Sequence, residues 1–524
     1  EAGPNIYKAL NSPEKAEWIK ALQKEWASFD ENEVYEIVPR EEAGTNKVFK
    51  VVIVLVKKIS DNGDVLYKAR CCVNGNNIDY EVSTYAPVVD AESLKLMTAV
   101  CMQAGMCMTD FDISTAYLNG TLKEPRFMEI PIGVLPNVSH KNFVLKLKRA
   151  VYGLPEAGNI WNSTFDERVT NEELRFKKCI SSPALYTRIE GEERAYMGLS
   201  TDDVKLFTTS IALKEEILGN LSKYFKMKVL GVASEFLGIE QELRDEGLFW
   251  SSGQKITAVI DMFENKYGTV RPSHMPLSTS TLSKLNEQIS KPLSDEKVSF
   301  YRSAVGKLAW IAAATRPDIC LATQILSRSL TSAEEKHWKA LTLLFGYLKN
   351  TINAGLVFKK GNFNFEGDKI NIDMYCDADF AGILADTKST SGVLIFINEI
   401  LVVFLSKKQA TVARSTVEAE GICLDVGTKM LEPIVHVLDQ MAVKYNTPDV
   451  YEDNLGLIQI LIGLGYKRRT KYLLVKFNYM KELVQSHFYN LNHSDSDNMK
   501  ADIMNKPSSR LRFEKLRAWL NMFL

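Results

Sequence analysis

Residues Arg194 to Ser210 read RAYMGLSTDDVKLFTTS, and they leave the chain little choice of local fold. Two apolar runs, Tyr196–Leu199 and Val204–Phe207, flank Asp202-Asp203, the pattern of a β-hairpin with both carboxylates at its turn. Aspartate at a turn normally points into water, so the pair gains meaning only from a partner. The stretch Met106 to Asp112 supplies one: it is short and apolar-rich, and period-two alternation sets Asp110 and Asp112 on one face of a strand. A strand ending in Asp112 beside this hairpin gathers three carboxylates. Their repulsion raises their pKa values and calls for divalent cations. Two Mg²⁺ ions about 3.5–4 Å apart are the chemical use of such a cluster, clamping the attacking and leaving oxygens of a phosphoryl transfer.

The chain has 524 residues, more than one ordinary domain accommodates, so several cores are expected. Its longest apolar runs, Val51–Val56 and Ile400–Leu405, are too short to cross a bilayer. The first residues form no signal-peptide pattern, and the missing initiator Met points to a piece of a longer polyprotein. Eight cysteines sit mostly in apolar stretches and never at Cys-x-x-Cys spacing, which favours reduced, packed thiols over zinc. Lys and Arg number 64 against 65 Asp and Glu, a net charge of −1 and not the basic balance of a typical nucleic-acid binder. Basic residues gather instead in local runs at Lys47–Lys58, Lys146–Arg149 and Tyr466–Lys476.

Residues 1–45 read as helical, with Ser12 capping a helix that opens on Pro13 and a core stripe of Trp18, Ile19, Leu22, Trp26 and Phe29. A hairpin follows, Val48–Lys57 and Val65–Val73 around a turn at Asp61-Asn62-Gly63-Asp64. Its second strand sets Lys68 and Arg70 on one face, where two cations can hold a triphosphate. A helix over Ala91–Ala104 precedes the Asp112 strand, and Tyr117 lies five residues beyond Asp112. Strands are expected at Met128–Pro131 and Phe143–Arg149, and Tyr152 to Ala157 turns into a helix through Trp161 and Phe165. After the acidic hairpin come a helix at Ile211–Phe225, a turn and strand over Leu230–Gln241 and a short strand at Leu248–Ser251. Residues 252–351 are largely helical, broken at Arg316-Pro317-Asp318, with a flexible connection at Leu277–Ser294.

Beyond Lys359 the pattern alternates as in an α/β unit: strands Ile370–Cys376, Gly392–Asn398 and Ile400–Ser406, a helix Val417–Met441 capped by Ser415 or Thr416, a strand ending at Tyr451, a helix at Leu455–Leu461 and a strand near Phe488–Leu491. Its polar outliers are acids at element ends: Asp377, Asp379, Glu418, Glu420, Glu452, Asp453 and Asp502. Four carboxylates from four elements make a second two-metal site, suited to hydrolysing a phosphodiester.

The stretches LNSPEKAEW, KAR at 68–70, IDYEVSTYAPVV, DISTAYLNGTLKE, AVYGL, FLGIE, YRSAVGKLAWIAAATRPDI, CDADFAG, KSTSGV, SKKQ, STVEAE, YEDN and ADIMNKP follow one another along the chain. In this order and spacing the chain resembles, nearly end to end, the reverse transcriptase–ribonuclease H portion of a copia-type (Pseudoviridae) long-terminal-repeat retrotransposon polyprotein. The resemblance implies an α+β multidomain fold, a right-hand polymerase of fingers, palm and thumb followed by an α/β ribonuclease H-like domain. It divides the chain into an N-terminal helical segment (1–45), fingers and palm (46–250), a mainly helical thumb and connection (251–366) and the ribonuclease H-like domain (367–524). It implies an RNA-directed DNA polymerase that also degrades the RNA strand of the hybrid.

Residue by residue, the polymerase acids fall on Asp112, Asp202 and Asp203, which leaves Asp110 a bystander. Tyr117 falls on the aromatic gate against ribose, Lys68 and Arg70 on the cations that grip the triphosphate, and Glu156 where the family keeps an amide beside the nucleotide sugar. The nuclease acids fall on Asp377, Glu420, Asp453 and Asp502, with Asp379, Glu418 and Glu452 structural or solvent-facing. His493 lies where related nucleases keep a mobile histidine. The implied cofactor is Mg²⁺, two ions per active site, with Mn²⁺ as a substitute. The implied partners are RNA template, primer, dNTPs and RNA/DNA hybrid, with capsid and integrase of the same element and no membrane. The implied place is the cytoplasm, in virus-like particles, with access to the nucleus.

The chain departs from the family at several neighbours of these residues. Ser200-Thr201 stands where Tyr or Phe and then Val precede the aspartate pair, Pro155-Glu156-Ala157 replaces Lys-Gln-Ala, Asn74-Gly75-Asn76-Asn77 shortens a Gly-Phe-x-Gln stretch, Phe404 replaces a Trp, and Thr470-Lys471-Tyr472 replaces Thr-Lys-His. A carboxylate at 156 adds repulsion near the phosphates. Two alternatives therefore stand beside the two-activity enzyme: a domesticated relative that binds nucleic acid or a partner without polymerising, and a nuclease whose polymerase is dead.

Overall fold

The computed structural model describes residues 4–59, 65–76, 82–287, 290–382, 387–463 and 474–524. The turn expected at Asp61–Asp64, the 78–81 part of IDYEVSTYAPVV, Asn77, the Thr470-Lys471-Tyr472 stretch and most of the 466–476 basic run lie outside these residues.

The N-terminal helix, Lys15–Glu31, buries Trp18, Ala21, Leu22, Trp26 and Phe29 on one face. That face packs on the strand Val65–Val73 of the long hairpin, with Trp18 edge-on to Tyr67 at 4.7 Å. Two expectations for this segment change. Ser12 does not cap the helix: its hydroxyl donates to the Ala9 carbonyl at 2.8 Å, and Glu14 precedes the first helical residue. The segment is also not helical throughout. Glu33 takes a left-handed φ of 49° that ends the helix, and Tyr35–Pro39 continues as a strand paired with Phe143–Arg149. The next strand of that four-stranded sheet is Thr121–Met128, so Met128 closes a strand and does not open one.

A six-stranded sheet carries the Asp112 strand second from one edge. Its neighbours run in the order Met227–Gly231, Cys107–Ile113, Asp203–Thr208, Glu193–Ser200, Leu185–Glu190 and Lys177–Lys178. Beside it lies the helix Ala91–Gln103, opened by Asp90, which accepts from the Ser93 amide at 2.7 Å. This helix is buried from Ser93 through Met102, because it also packs against the strands Thr390–Ile397 and Ile400–Lys408 and the helix Thr416–Gln440 of the C-terminal region. A helix covered on every side is largely apolar all round, and its buried cation, Lys95, donates to the Ala313 carbonyl at 3.0 Å and lies over the Phe404 ring.

A five-stranded sheet then gathers Glu235–Phe236, Ile239–Leu243, Gly247–Ser251, Gly355–Lys359 and Met522–Phe523, spanning the expected bounds at 250/251 and 366/367. The helices between include Thr279–Leu285, capped by Ser278 on the Thr281 amide at 3.1 Å and seated by buried Leu285. Part of the connection expected to be flexible is thus an anchored helix. The break at Arg316-Pro317-Asp318 is a buried network: Arg316 is 0% exposed, its guanidinium donates to both Asp318 oxygens at 2.9 and 2.8 Å, and the Tyr347 hydroxyl adds a third bond at 2.6 Å. Arg517, from the helix Arg510–Trp519, donates to that hydroxyl at 3.0 Å.

The last sheet orders Ile400–Lys408, Thr390–Ile397, Ile372–Asp379, Asp449–Glu452 and Asn490–His493, antiparallel in its first pairs and parallel in its last two. The helix Thr416–Gln440, capped by Ser415 on the Glu418 amide at 3.2 Å, crosses its face. The core of the six-stranded sheet runs without a break into the core of this one. Among the described residues no helix is long and apolar enough to cross a membrane.

Candidate active sites

The first cluster is built by register. In the antiparallel pair Cys107–Ile113 and Asp203–Thr208, Asp112 stands directly opposite Asp203, and Ser200 faces Asp203 across the hairpin. Thr201 and Asp202 form the turn, with Thr201 at a φ of 58°. Two bonds pin it: the Trp161 indole donates to the Thr201 carbonyl at 2.7 Å, and the Ile113 amide to the Asp202 carbonyl at 2.8 Å. Partial burial, then the carboxylates of Asp202 and Asp112, push Asp203 up to about 6. Asp112 is raised by burial and then by Asp202, with Lys68, Lys228 and Arg70 opposing.

Asp110 shares the face of Asp112, as alternation predicts, but its charge is already spent on structure. It is 1% exposed, ion-paired to Lys205 at 2.6 Å and bonded by the Gln241 amide at 2.5 Å and the Ala233 N–H at 3.1 Å.

An aromatic wall stands beside these acids. Tyr117 lies in a single turn, Ala116–Asn119, and its ring meets that of Tyr152 edge-on at 5.0 Å. Burial first and the Asp202 carboxylate second raise the Tyr117 phenol, which places Asp202 within its field. The Arg70 guanidinium rests over the Tyr152 ring at 5.1 Å. Tyr152 was not singled out by motif, although it opens the Tyr-Gly-Leu turn. Its carbonyl accepts from the Val73 amide at 2.7 Å, and Gly153, at a φ of 90°, gives the strand room, since a Cβ there would collide with the Val73 carbonyl. Lys68 and Arg70 lie on the exposed face of their strand. Glu156 is 5% exposed just before the helix Ala157–Val169, and Arg126 donates to its carboxylate at 3.0 Å, offsetting the charge conspicuous in the sequence.

The second cluster is deeper. Asp377 from the central strand, Glu420 from the long helix and Asp453 from just beyond Asp449–Glu452 each offer one ligand atom, all within 4.8 Å of one another. Among the described residues Asp112, Asp202 and Asp203 do not meet that spacing. Burial pushes Asp377 up to about 6, with Lys506 pulling the other way. Burial, then Glu452 and Asp377, push Glu420 up to about 12. The Glu420 Oε2 atom is buried with no hydrogen-bond partner. An oxygen-only set with an orphaned acceptor fits a hard divalent cation.

Glu452, expected to be structural or solvent-facing, is 0% exposed; its Oε2 also lacks a partner and burial raises its pKa. Cys423 donates its thiol to the Asp377 carbonyl at 3.1 Å, packing the strand on the helix. Asp502, the first residue of a short helix, Asp502–Asn505, is held by Lys506 at 3.0 Å and Arg512 at 2.8 Å. Asp379 is half-buried, with its pKa raised by burial first. Glu418 accepts from the Arg414 amide at 2.9 Å, and His493 is exposed, opposite Glu452 in register. Lys506 and Asn505 were not picked out, although both stand inside the ADIMNKP stretch.

The family model described as reverse transcriptase (RNA-dependent DNA polymerase) matches residues 32–274. The chain is 29% identical over 529 residues to the retrovirus-related Pol polyprotein from transposon TNT 1-94 of Nicotiana tabacum, covering 99% of this chain and 39% of that protein. It is 28% identical to that from transposon RE1 of Arabidopsis thaliana, covering 97% of this chain and 34% of that protein. An uncharacterized mitochondrial protein of Arabidopsis thaliana is 32% identical over 225 residues, 43% of this chain and 88% of that protein. The chain thus spans little more than a third of the length of the two Pol polyproteins.

Proposed function

The chain belongs to the reverse transcriptase family of copia-type retrotransposon Pol polyproteins, and from that premise we propose that it copies an RNA template into DNA and cuts the RNA strand of the resulting hybrid. The observation that carries the reading is the register of the first cluster, which sets Asp112 against Asp203 and Asp202 in the adjoining turn. Two Mg²⁺ ions bound there would neutralise the primer 3′-oxygen and the leaving pyrophosphate. Asp112, Asp202 and Asp203 would hold them; Lys68 and Arg70 would take the triphosphate, and Tyr117 would close the pocket against a ribose 2′-hydroxyl. Tyr152 supports both Tyr117 and Arg70 from behind. Asp377, Glu420 and Asp453 would hold a divalent ion for phosphodiester hydrolysis, Asp502 completing the set from the neighbouring helix.

In this reading 46–250 serves as fingers and palm, 251–366 as a thumb and connection gripping the duplex backbone, and 367–524 as the nuclease, which tells RNA from DNA by the 2′-hydroxyl. The partners are template, primer, dNTPs and hybrid, and the other proteins of the element in its particles. The domesticated alternative loses ground at Glu156, because its repulsive charge is offset by Arg126.

Primer extension on an RNA template with dNTPs and Mg²⁺, with cleavage of the labelled template followed in the same tube, tests the reading. DNA product with shortened template is expected. Shortened template alone would leave only the nuclease, and neither product from folded protein would overturn the assignment.

A further inference from the structure

The second cluster contains a cation of its own. The Lys506 ammonium lies 2.8 Å from Asp377 Oδ1, 2.7 Å from Asp377 Oδ2 and 3.0 Å from Asp502 Oδ1, so one positive charge bridges two of the four acids. Other donors hold the same two carboxylates: the Asn505 amide donates to Asp377 Oδ2 at 2.6 Å, and Arg512 donates to Asp502 Oδ2 at 2.8 Å.

The backbone is shaped for this approach. Gly392 is the register partner of Asp377. A Cβ at that position would stand 2.8 Å from both the Ala501 carbonyl and the Met504 Cβ, so glycine alone lets the turn into Asp502–Asn505 close on the strand and deliver Lys506. Asp377 is 0% exposed, and a carboxylate so deep needs a partner. The acids that converge on one point are Asp377, Glu420 and Asp453; Asp502 stands outside that group, on the far side of the lysine.

We propose that Lys506 is the built-in counter-cation of this cluster: it ties Asp502 to Asp377, so that the cluster takes one divalent ion on Asp377, Glu420 and Asp453 and a second only when the ammonium is displaced. The inference rests on the reading of this cluster as a divalent-ion site. An ammonium suits the role because it is a compact point charge on a flexible four-carbon stem, able to leave without moving the backbone.

The test is a Mn²⁺ titration followed by electron paramagnetic resonance, on the full chain carrying Asp202→Asn and Asp203→Asn so that the first cluster does not compete. One tightly bound Mn²⁺ is expected. Lys506→Gln should add a second, its affinity rising about tenfold or more, the scale on which groups flanking a metal site act. Gly392→Ala, which pushes the helix away without changing charge, should move it in the same direction, and Lys506→Arg should leave one ion. Thermal unfolding of each variant identifies any that do not fold; Gly392→Ala decides if Lys506→Gln fails, and the parent's own stoichiometry decides if both do. Two equal ions on the parent, or unchanged titrations in both variants, would overturn the proposal while leaving the divalent-ion reading intact. No bound ion on parent or variants would sink that reading, and the counter-cation with it.

Discussion

Asp203 and Asp377 are both pushed up to about 6, yet they arrive there by different routes. Asp203 is half-buried at a strand start, and the neighbouring acids add to its elevation; of the cations that oppose the same rise at its partner Asp112, Lys68 and Arg70 stand on a separate hairpin and Lys228 on the adjoining strand, opposite Asp112 in register. Asp377 is fully buried, and its counter-charge, Lys506, comes from the turn of helix that follows Asp502 in the same cluster. The first cluster keeps its repulsion for an incoming ligand to relieve. The second relieves its own at Asp377 and Asp502, and keeps an unpartnered oxygen at Glu420. A site that, on the proposed function, would take up metal with every nucleotide gains from unsatisfied charge, whereas a buried site without compensation would destabilise its fold.

The widest separation between the two should appear in activity. Asp202→Asn or Asp203→Asn should lower extension by roughly 10²–10³-fold, the scale of losing one charge-stabilising group, and leave template cleavage intact; Asp377→Asn should do the reverse. Equal loss of both activities in either variant would break the comparison. A smaller effect should follow from the wall behind the first cluster. Tyr152→Ala removes ring contacts with Tyr117 and Arg70 together, each worth about 0.5–1.5 kcal/mol, and should raise the KM for dNTPs up to about tenfold; Tyr152→Phe, which keeps the ring, should not.

Stability without metal sharpens the contrast further. Asp377→Asn leaves the ammonium of Lys506 without its main partner and should cost about 1–3 kcal/mol in urea unfolding. Glu420→Gln should do the opposite. The folded pKa of Glu420 is raised from 4.5 to about 12, so at pH 7 the folded chain keeps a proton that the unfolded chain releases. Ionisation therefore favours unfolding, and the glutamine variant should gain stability at pH 7, the gain shrinking as pH falls toward 4.5. The smallest effect belongs to Asp203→Asn. Its gain should be complete above pH 6, fade between pH 6 and 3.8, and vanish when Mg²⁺ is added. A gain that persists in Mg²⁺ would place the ion elsewhere.

What the sequence disclosed follows the periods it can express. Alternation set Asp110 and Asp112 on one face, and the hairpin pattern put both Asp202 and Asp203 at the turn, because both depend on neighbours a few residues away; only Asp202 lies in the turn, since Asp203 opens the strand and pairs with Ser200. Alternation is blind to the opposite strand, so it missed that Lys205 is the register partner of Asp110 while Asp203 is that of Asp112. The same blindness hid the Arg126 partner of Glu156, 30 residues away, and the Lys506 partner of Asp377, 129 residues away. The helical stripe from Trp18 to Phe29 says nothing of where the helix stops, so the expected helical segment of residues 1–45 runs over the strand Tyr35–Pro39; the left-handed backbone at Glu33, which ends the helix, is no glycine and gives no warning. Glu452 is expected to be structural or solvent-facing, and alternation within Asp449–Glu452 decides against the second, turning Val450 and Glu452 to the same buried side.

The helix Ala91–Gln103, walled in by both large sheets, bears on how such a chain ages. On the proposed function a copy that lost Asp377 or Glu420 would stop cutting hybrid, but it could not shed the C-terminal region without stripping the cover from the helix beside the Asp112 strand. Selection for copying alone would therefore go on preserving the C-terminal core long after its own chemistry had lapsed, and mutations should accumulate first at its acids and last at the side chains packed on this helix, such as Phe404, whose ring lies 4.0 Å from the Lys95 ammonium.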